Sequence, residues 1–181
     1  MKLHVMLDIE TLGQGNFSAL LSIGACKFYP GTDGVVDRFQ VFVDPESCQK
    51  IGMRIDGPTV MWWLAPERAA AREKLMQSGI ERLSIHDALS GFAQWYGPDS
   101  RPTWGNGAGF DNVIVGNAFK LAGLDCPWKF WDDRCFRTVK SLDARRELEP
   151  TLIGDAHVAV DDAVHQARWL QAIVRARSLD L

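Results

Sequence analysis

Hydrophobic and polar positions along the chain change character near residue 59. Before it, apolar residues come in short runs separated by turn residues, and Leu3 to Asp8 is an almost unbroken apolar run that predicts a buried strand. Leu20 to Tyr29 and Val35 to Val43 predict two further strands. The PGTDG between them offers Pro, Asp and Gly for a tight turn, so these two form a hairpin. From Thr59 a helix is predicted through VMWWLAPERAAAREKLM, with Pro66 suited to a first helical turn. A second helix runs from Ser84, a good N-cap, to Tyr96. Arg101 to Trp104 reads as a short strand ending in the Gly-rich GNGAG. Helices are then predicted over Phe110 to Ala122, Arg134 to Leu142 and Ala159 to Ala176. The stretch from Asp44 to Gly57, with Pro45 and two glycines, is expected to be a long loop close to the functional region.

Antiparallel strands followed by strand–helix alternation predict an α/β fold, a mixed sheet flanked by helices, with its first three strands antiparallel and the later ones parallel. The 181 residues, 46% of them hydrophobic, are enough for one core, and residues 1–181 are expected to form a single domain. No apolar run is long enough to span a bilayer, and MKLHVMLDIETLG lacks the features of a signal peptide, so a cytoplasmic location without membrane association is the expectation. Cys26, Cys48, Cys126 and Cys135 are scattered without a CxxC pair, which points to reduced, mostly buried thiols rather than a zinc site. The formal net charge of −3 argues against a general nucleic-acid coat protein. It leaves room for a phosphate-processing enzyme that borrows positive charge from bound cations.

Three acidic clusters could hold such cations. Asp8 and Glu10 are two residues apart at the end of the first strand, on one face by strand periodicity. The simple end of a strand explains them equally well. Asp111, in GNGAGFDN, lies between a strand and a helix, where sites of open α/β sheets gather and where helix caps also occur. HVAVDDAVHQA carries His157, Asp161 and Asp162. On a regular helix His157 and Asp161 would share a face, but if His157 precedes the helix that argument lapses, and spacing does not choose between the aspartates. His165 decorates the same helix.

Taken together and in order, DIETLG, NGAGFDN and HVAVDDA resemble the DEDDh branch of the 3′→5′ exonuclease superfamily, which includes proofreading exonucleases, oligoribonuclease and ribonuclease T. LLSIGACKFYP, TVMWWLAPERAAAR and GNGAGFDN are more closely similar to the exonuclease VIII-like and bacterial 3′→5′ exoribonuclease group. The resemblance covers almost the whole chain and implies an RNase H-like fold. It assigns Asp8, Glu10, Asp111 and Asp162 as metal ligands and His157 as the catalytic histidine, choosing Asp162 over Asp161. It implies two divalent cations, Mg2+ or Mn2+, and stepwise release of nucleoside 5′-monophosphates from a nucleic acid with a free 3′ end. Hard cations suit carboxylate oxygens, and an imidazole, ordinarily titrating near about pH 6.5, suits removal of a proton from water.

The terminal nucleotide must also be gripped. In the wider family the residues after the first acidic pair do this, which implicates Thr11 and Leu12. Trp62 and Trp63 offer a stacking surface for a base, one ring facing substrate and the other the core. Arg134 and Arg137 are candidates for phosphate contacts or for ordinary solvated arginines. Three alternatives stand beside a general exonuclease: an oligoribonuclease restricted to very short RNA, a non-catalytic nucleic-acid-binding module, and a domain stabilised by structural metal. The resemblance also leaves a homodimer open.

Overall fold

A computed structural model describes residues 2–181. Its centre is a six-stranded sheet built from β1 (His4–Thr11), β2 (Leu20–Phe28), β3 (Asp37–Val43), β4 (Arg82–Leu83), β5 (Thr103–Gly105) and β6 (Asp133–Cys135), in spatial order β4-β3-β2-β1-β5-β6. β1 to β3 are antiparallel in succession, while β5 runs parallel to β1 and β6 parallel to β5. The mixed α/β sheet expected from the residue pattern is present. Two strands escaped the reading. β4 and β6 have only two and three residues, too short for any periodicity, and each is added parallel at an edge.

Alternation along β1 divides the core. Val5, Leu7 and Ile9 face a layer formed by α4 (Ile85–Tyr96) and α5 (Asp111–Ala122), including Leu89, Phe92, Ile114 and Phe119. Met6 faces the other way and packs with Trp104, Phe136, Trp169 and Leu170 beneath α7 (Ala159–Arg177). With period two, His4, Asp8 and Glu10 share the α7 side with Met6. β1 is longer than expected and carries Glu10 and Thr11 within the strand, with a register shift between them.

Three further boundaries differ from expectation. The Asp44–Gly57 loop contains a helix, α1 (Pro45–Lys50), whose first amides are accepted by the Asp44 carboxylate. The helix from Thr59 is two helices, α2 (Gly57–Leu64) and α3 (Ala69–Leu75), separated by a 3-10 turn at Pro66–Arg68. Pro66 removes an amide donor and drives Ala65 to an extended conformation (φ −59°, ψ 143°), which ends α2. The helix expected from Arg134 begins at Phe136 as α6 (Phe136–Lys140), because residues 133–135 pair with β5. Among the described residues, no helix is long and apolar enough to cross a membrane.

Candidate active site

The site forms where β1, α5 and α7 converge. Asp8 lies opposite Gly24 of β2, and Glu10 opposite Ser22. A side chain at Gly24 would put its Cβ 2.1 Å from the backbone of Ala159 and Val160, so glycine here lets the start of α7 rest directly on the sheet. That approach sets the first turn of α7 above the acidic end of β1. Asp162 belongs to this turn, and Gln166, one turn later, donates to Asp8 Oδ1 at 2.8 Å. A similar demand acts at Gly105, where a Cβ would lie 2.5 Å from Asn112 Oδ1 and 2.9 Å from Asp111 Cβ. The end of β5 therefore admits the start of α5, and with it Asp111.

His157 precedes α7 in left-handed backbone (φ 64°), and its amide donates to Asp162 Oδ2 at 2.8 Å. The helical-face relation between His157 and Asp161 does not arise. Asp161 instead accepts the Asp155 amide at 2.9 Å and packs against Gly154. Asp8, Glu10, Asp111, His157 and Asp162 thus line a single cavity of about 330 Å³, together with Asn106, Phe110, Arg137 and Gln166. Asp161 holds the loop outside it.

Four carboxylates with little nearby positive charge shape the electrostatics. Burial, followed by the repulsion of Asp111, Glu10 and Asp162, raises the Asp8 carboxyl well above its usual range. Glu10 is pushed up to about 8 by burial and then by Asp162 and Asp111. Burial carries Asp111 to about 7, although backbone hydrogen bonds and Arg137 pull the other way. Asp162 is raised as well, again first by burial. Ligand atoms of Glu10, His157 and Asp162 lie within 4.8 Å of one another, and Nδ1 of His157 is 3.9 Å from Glu10 Oε1. Buried anionic oxygens that repel one another fit hard divalent cations, which would favour their ionised forms.

A second cavity of about 300 Å³ adjoins the first and shares Ile9, Glu10 and Phe110 with it. Thr11, Trp62 and Trp63 line it, with Gln14, Pro58 and Thr59. The two tryptophans divide their roles: Trp63 is 6% exposed and donates its indole N–H to Thr11 O at 2.9 Å, whereas Trp62 is 40% exposed. Thr11 is itself buried, its hydroxyl donating to Gly13 O. Leu12 does not join them. One residue further along the chain, it lines an apolar cavity with Leu21, Val60, Leu64 and Leu75 and packs on the core, apart from the cavity that Thr11 lines.

Three participants carried no signal in the sequence. Gln166 is one of several polar residues on a long helix, and only the crossing at Gly24 aims it at Asp8. Phe110 forms a wall common to both cavities. Arg68, from the Pro66–Arg68 turn, donates to His157 Nε2 at 3.1 Å while its guanidinium sits 4.2 Å from the Trp62 ring centre. It links the aromatic wall to the imidazole. Of the two arginines considered for phosphate contacts, Arg137 lines the carboxylate cavity, while Arg134 is not among its lining residues and donates to Trp131 O and Asp133 O.

Residues 3–174 match the model of a family described as the 3′-5′ exoribonuclease Rv2179c-like domain. No curated protein matches the sequence. Among solved structures, Escherichia coli exonuclease I in complex with a dA16 oligonucleotide aligns at TM-score 0.65 and 15% identity, over 98% of this chain. The chain spans 41% of that protein's length. The nuclease domain of 3′hExo, a DEDDh family member bound to rAMP, aligns at TM-score 0.63 and 14% identity, covering 97% of this chain and 92% of that domain. At such identities the likeness establishes a shared fold.

Proposed function

The chain belongs to the Rv2179c-like 3′-5′ exoribonuclease domain family, and from that premise we propose that it removes nucleotides stepwise from the 3′ end of single-stranded or overhanging RNA or DNA, releasing nucleoside 5′-monophosphates. The observation that carries this reading is the junction of two cavities: one lined by four carboxylates and an imidazole, the other walled by aromatic rings. Asp8, Glu10, Asp111 and Asp162 would hold two Mg2+ or Mn2+ ions. When bound, such ions neutralise phosphate charge and make water a stronger acid beside the scissile bond.

The protein's own groups do the rest. His157, held by the hydrogen bond from its backbone amide to Asp162 Oδ2, takes the proton of the attacking water once Arg68 releases Nε2. Gln166 orients the Asp8 carboxylate. Trp62 supplies an exposed face for the terminal base, worth about 1–3 kcal/mol and indifferent to sequence. Trp63 is the buried support that fixes the Thr11 carbonyl.

Stacking needs an unpaired base, and fraying a terminal pair costs a few kcal/mol, so a blunt duplex is degraded slowly. A 5′-labelled single strand given Mg2+ or Mn2+ yields a ladder of shortening labelled products, and a closed single-stranded circle survives. Rapid cutting of the circle would establish an endonuclease and defeat this reading.

A further inference from the structure

Arg137 closes the carboxylate cavity on the side of α6, its guanidinium donating to Asn106 O at 2.8 Å. Lys140 follows three residues later, on the same side of that short helix. The Lys140 ammonium lies 4.6 Å from the centre of the Trp169 ring, and Arg146 lies 5.3 Å from the same centre. Beyond them, Arg145 and Arg177 line a further cavity of about 300 Å³ with Leu142, Asp143, Ala144 and Glu147. A strip of cations therefore leads away from the active site, on a chain whose formal net charge is −3.

The carboxylates in this region offset it only in part. Glu149 is engaged by Arg146 and by His165. Glu147 lies 3.9 Å from Arg145, both exposed. Asp143 is buried and accepts the Trp169 indole N–H and the amides of Glu147 and Leu148. Among the described residues Arg137 and Lys140 form no ion pair. The Lys140 ammonium is disfavoured by burial and then by Arg146 and Arg137, with Glu149 pulling the other way.

The position of the strip gives it a direction. Thr11, Trp62 and Trp63 lie on one side of the carboxylates and Arg137 on the other, with Glu10 and Phe110 between. A chain whose last base reaches the tryptophans and whose last phosphodiester reaches the carboxylates must leave over α6. We propose that Arg137, Lys140, Arg145 and Arg177 form a track for the sugar–phosphate backbone of the single strand 5′ to the scissile bond, with Arg146 held beside it by Glu149. The inference rests on the exonuclease reading and extends it to substrate length. The track contacts phosphates and is indifferent to base sequence. It engages a dodecamer and is out of reach of a dinucleotide.

The test compares the full chain with the variant Lys140→Gln/Arg145→Gln/Arg177→Gln, which spares the carboxylate cavity, on a single-stranded dinucleotide and a 5′-fluorescein dodecamer. The variant is expected to raise KM for the dodecamer about tenfold with kcat unchanged, and to leave the dinucleotide unaffected. Losing three phosphate contacts should flatten the logarithmic salt dependence of dodecamer binding by about 2, at ~0.7 per contact for single strands. The charge-preserving Lys140→Arg/Arg145→Lys/Arg177→Lys should restore the wild-type KM. An unchanged KM and salt slope overturns the track. So does a parallel loss on both substrates, or failure of the charge-preserving variant to restore binding. If wild-type protein cuts neither substrate, the exonuclease reading fails by itself. Anisotropy of the dodecamer in chelator then decides the track: tenfold weaker binding by the glutamine variant supports it, and equal binding refutes it.

Discussion

Replacing Glu10 by Gln should make the metal-free protein melt higher than wild type at pH 8, while the two converge near pH 5. The Glu10 carboxyl rises from 4.5 to about 8 on folding, through burial and then through the charges of Asp162 and Asp111. For a carboxyl raised in this direction the folded state holds the proton more tightly. Its contribution is fully present below the unfolded value near 4.5 and is lost as pH rises towards 8. Integrated to pH 8, a shift of this size amounts to about 4 kcal/mol, against about 1 kcal/mol at pH 5, with 1.36 kcal/mol per unit as the conversion. Local relaxation and water entry reduce it, so about 2–4 kcal/mol is expected, or roughly 4–16 °C in Tm for a domain of this size. Asp111, at about 7, adds to the trend in both proteins. His4 opposes it: burial, assisted by Arg134 and Lys2, lowers its imidazole from 6.5 to about 4, so its contribution is lost as pH falls below 6.5. The quantity to follow is therefore the difference between Glu10→Gln and wild type, by calorimetry in chelator from pH 5 to 8. Adding Mn2+ at pH 8 should offset this difference by stabilising wild type more than the variant; at one hundred times Kd a bound ion contributes about 2.7 kcal/mol, the size of the difference itself. A difference that stays flat with pH, or has wild type melting higher in chelator at pH 8, would refute the electrostatic account of the cavity.

Other substitutions test single pieces of the site. Asp8→Ala and Asp162→Ala should abolish turnover in the oligonucleotide ladder assay while the proteins stay folded, whereas Asp161→Ala, which loosens the Asp155 loop, should retain activity within about tenfold. The reverse ranking of Asp161 and Asp162 would show the ligand assignment to be wrong. His157→Ala should lower kcat about 10²–10⁴-fold, with Mn2+ affinity by calorimetry largely retained; loss of that affinity would make His157 a ligand. Gly24→Ala should cost at least about 2 kcal/mol and lift the start of α7 off the sheet, so both Tm and activity fall. Wild-type stability in that variant would remove the close approach from the argument.

The sequence alone determined what depends on short-range order. The apolar runs of β1 to β3, the Ser84 cap of α4 and the glycine-rich end of β5 are local matters, and each was legible. So were the three acidic motifs, because their residues are neighbours in the chain. Edge strands were not legible, since β4 and β6 exist through their pairing partners and have too few residues to show a period. Tertiary structure also made the choices that spacing left open. A Cβ-free Gly24 lets α7 settle on the sheet, and that contact points Asp162 and Gln166 at β1 while Asp161 faces the Gly154 loop. Of two adjacent tryptophans, Trp63 is buried through a hydrogen bond to a strand 52 residues away in sequence, and Trp62 is left at the surface. Leu12, adjacent to Thr11, is turned into a different cavity. Arg68 meets His157 across 89 residues of chain. Such contacts depend on how whole elements cross, where the energy comes from burial and close packing shared among distant residues, and no local pattern encodes that geometry.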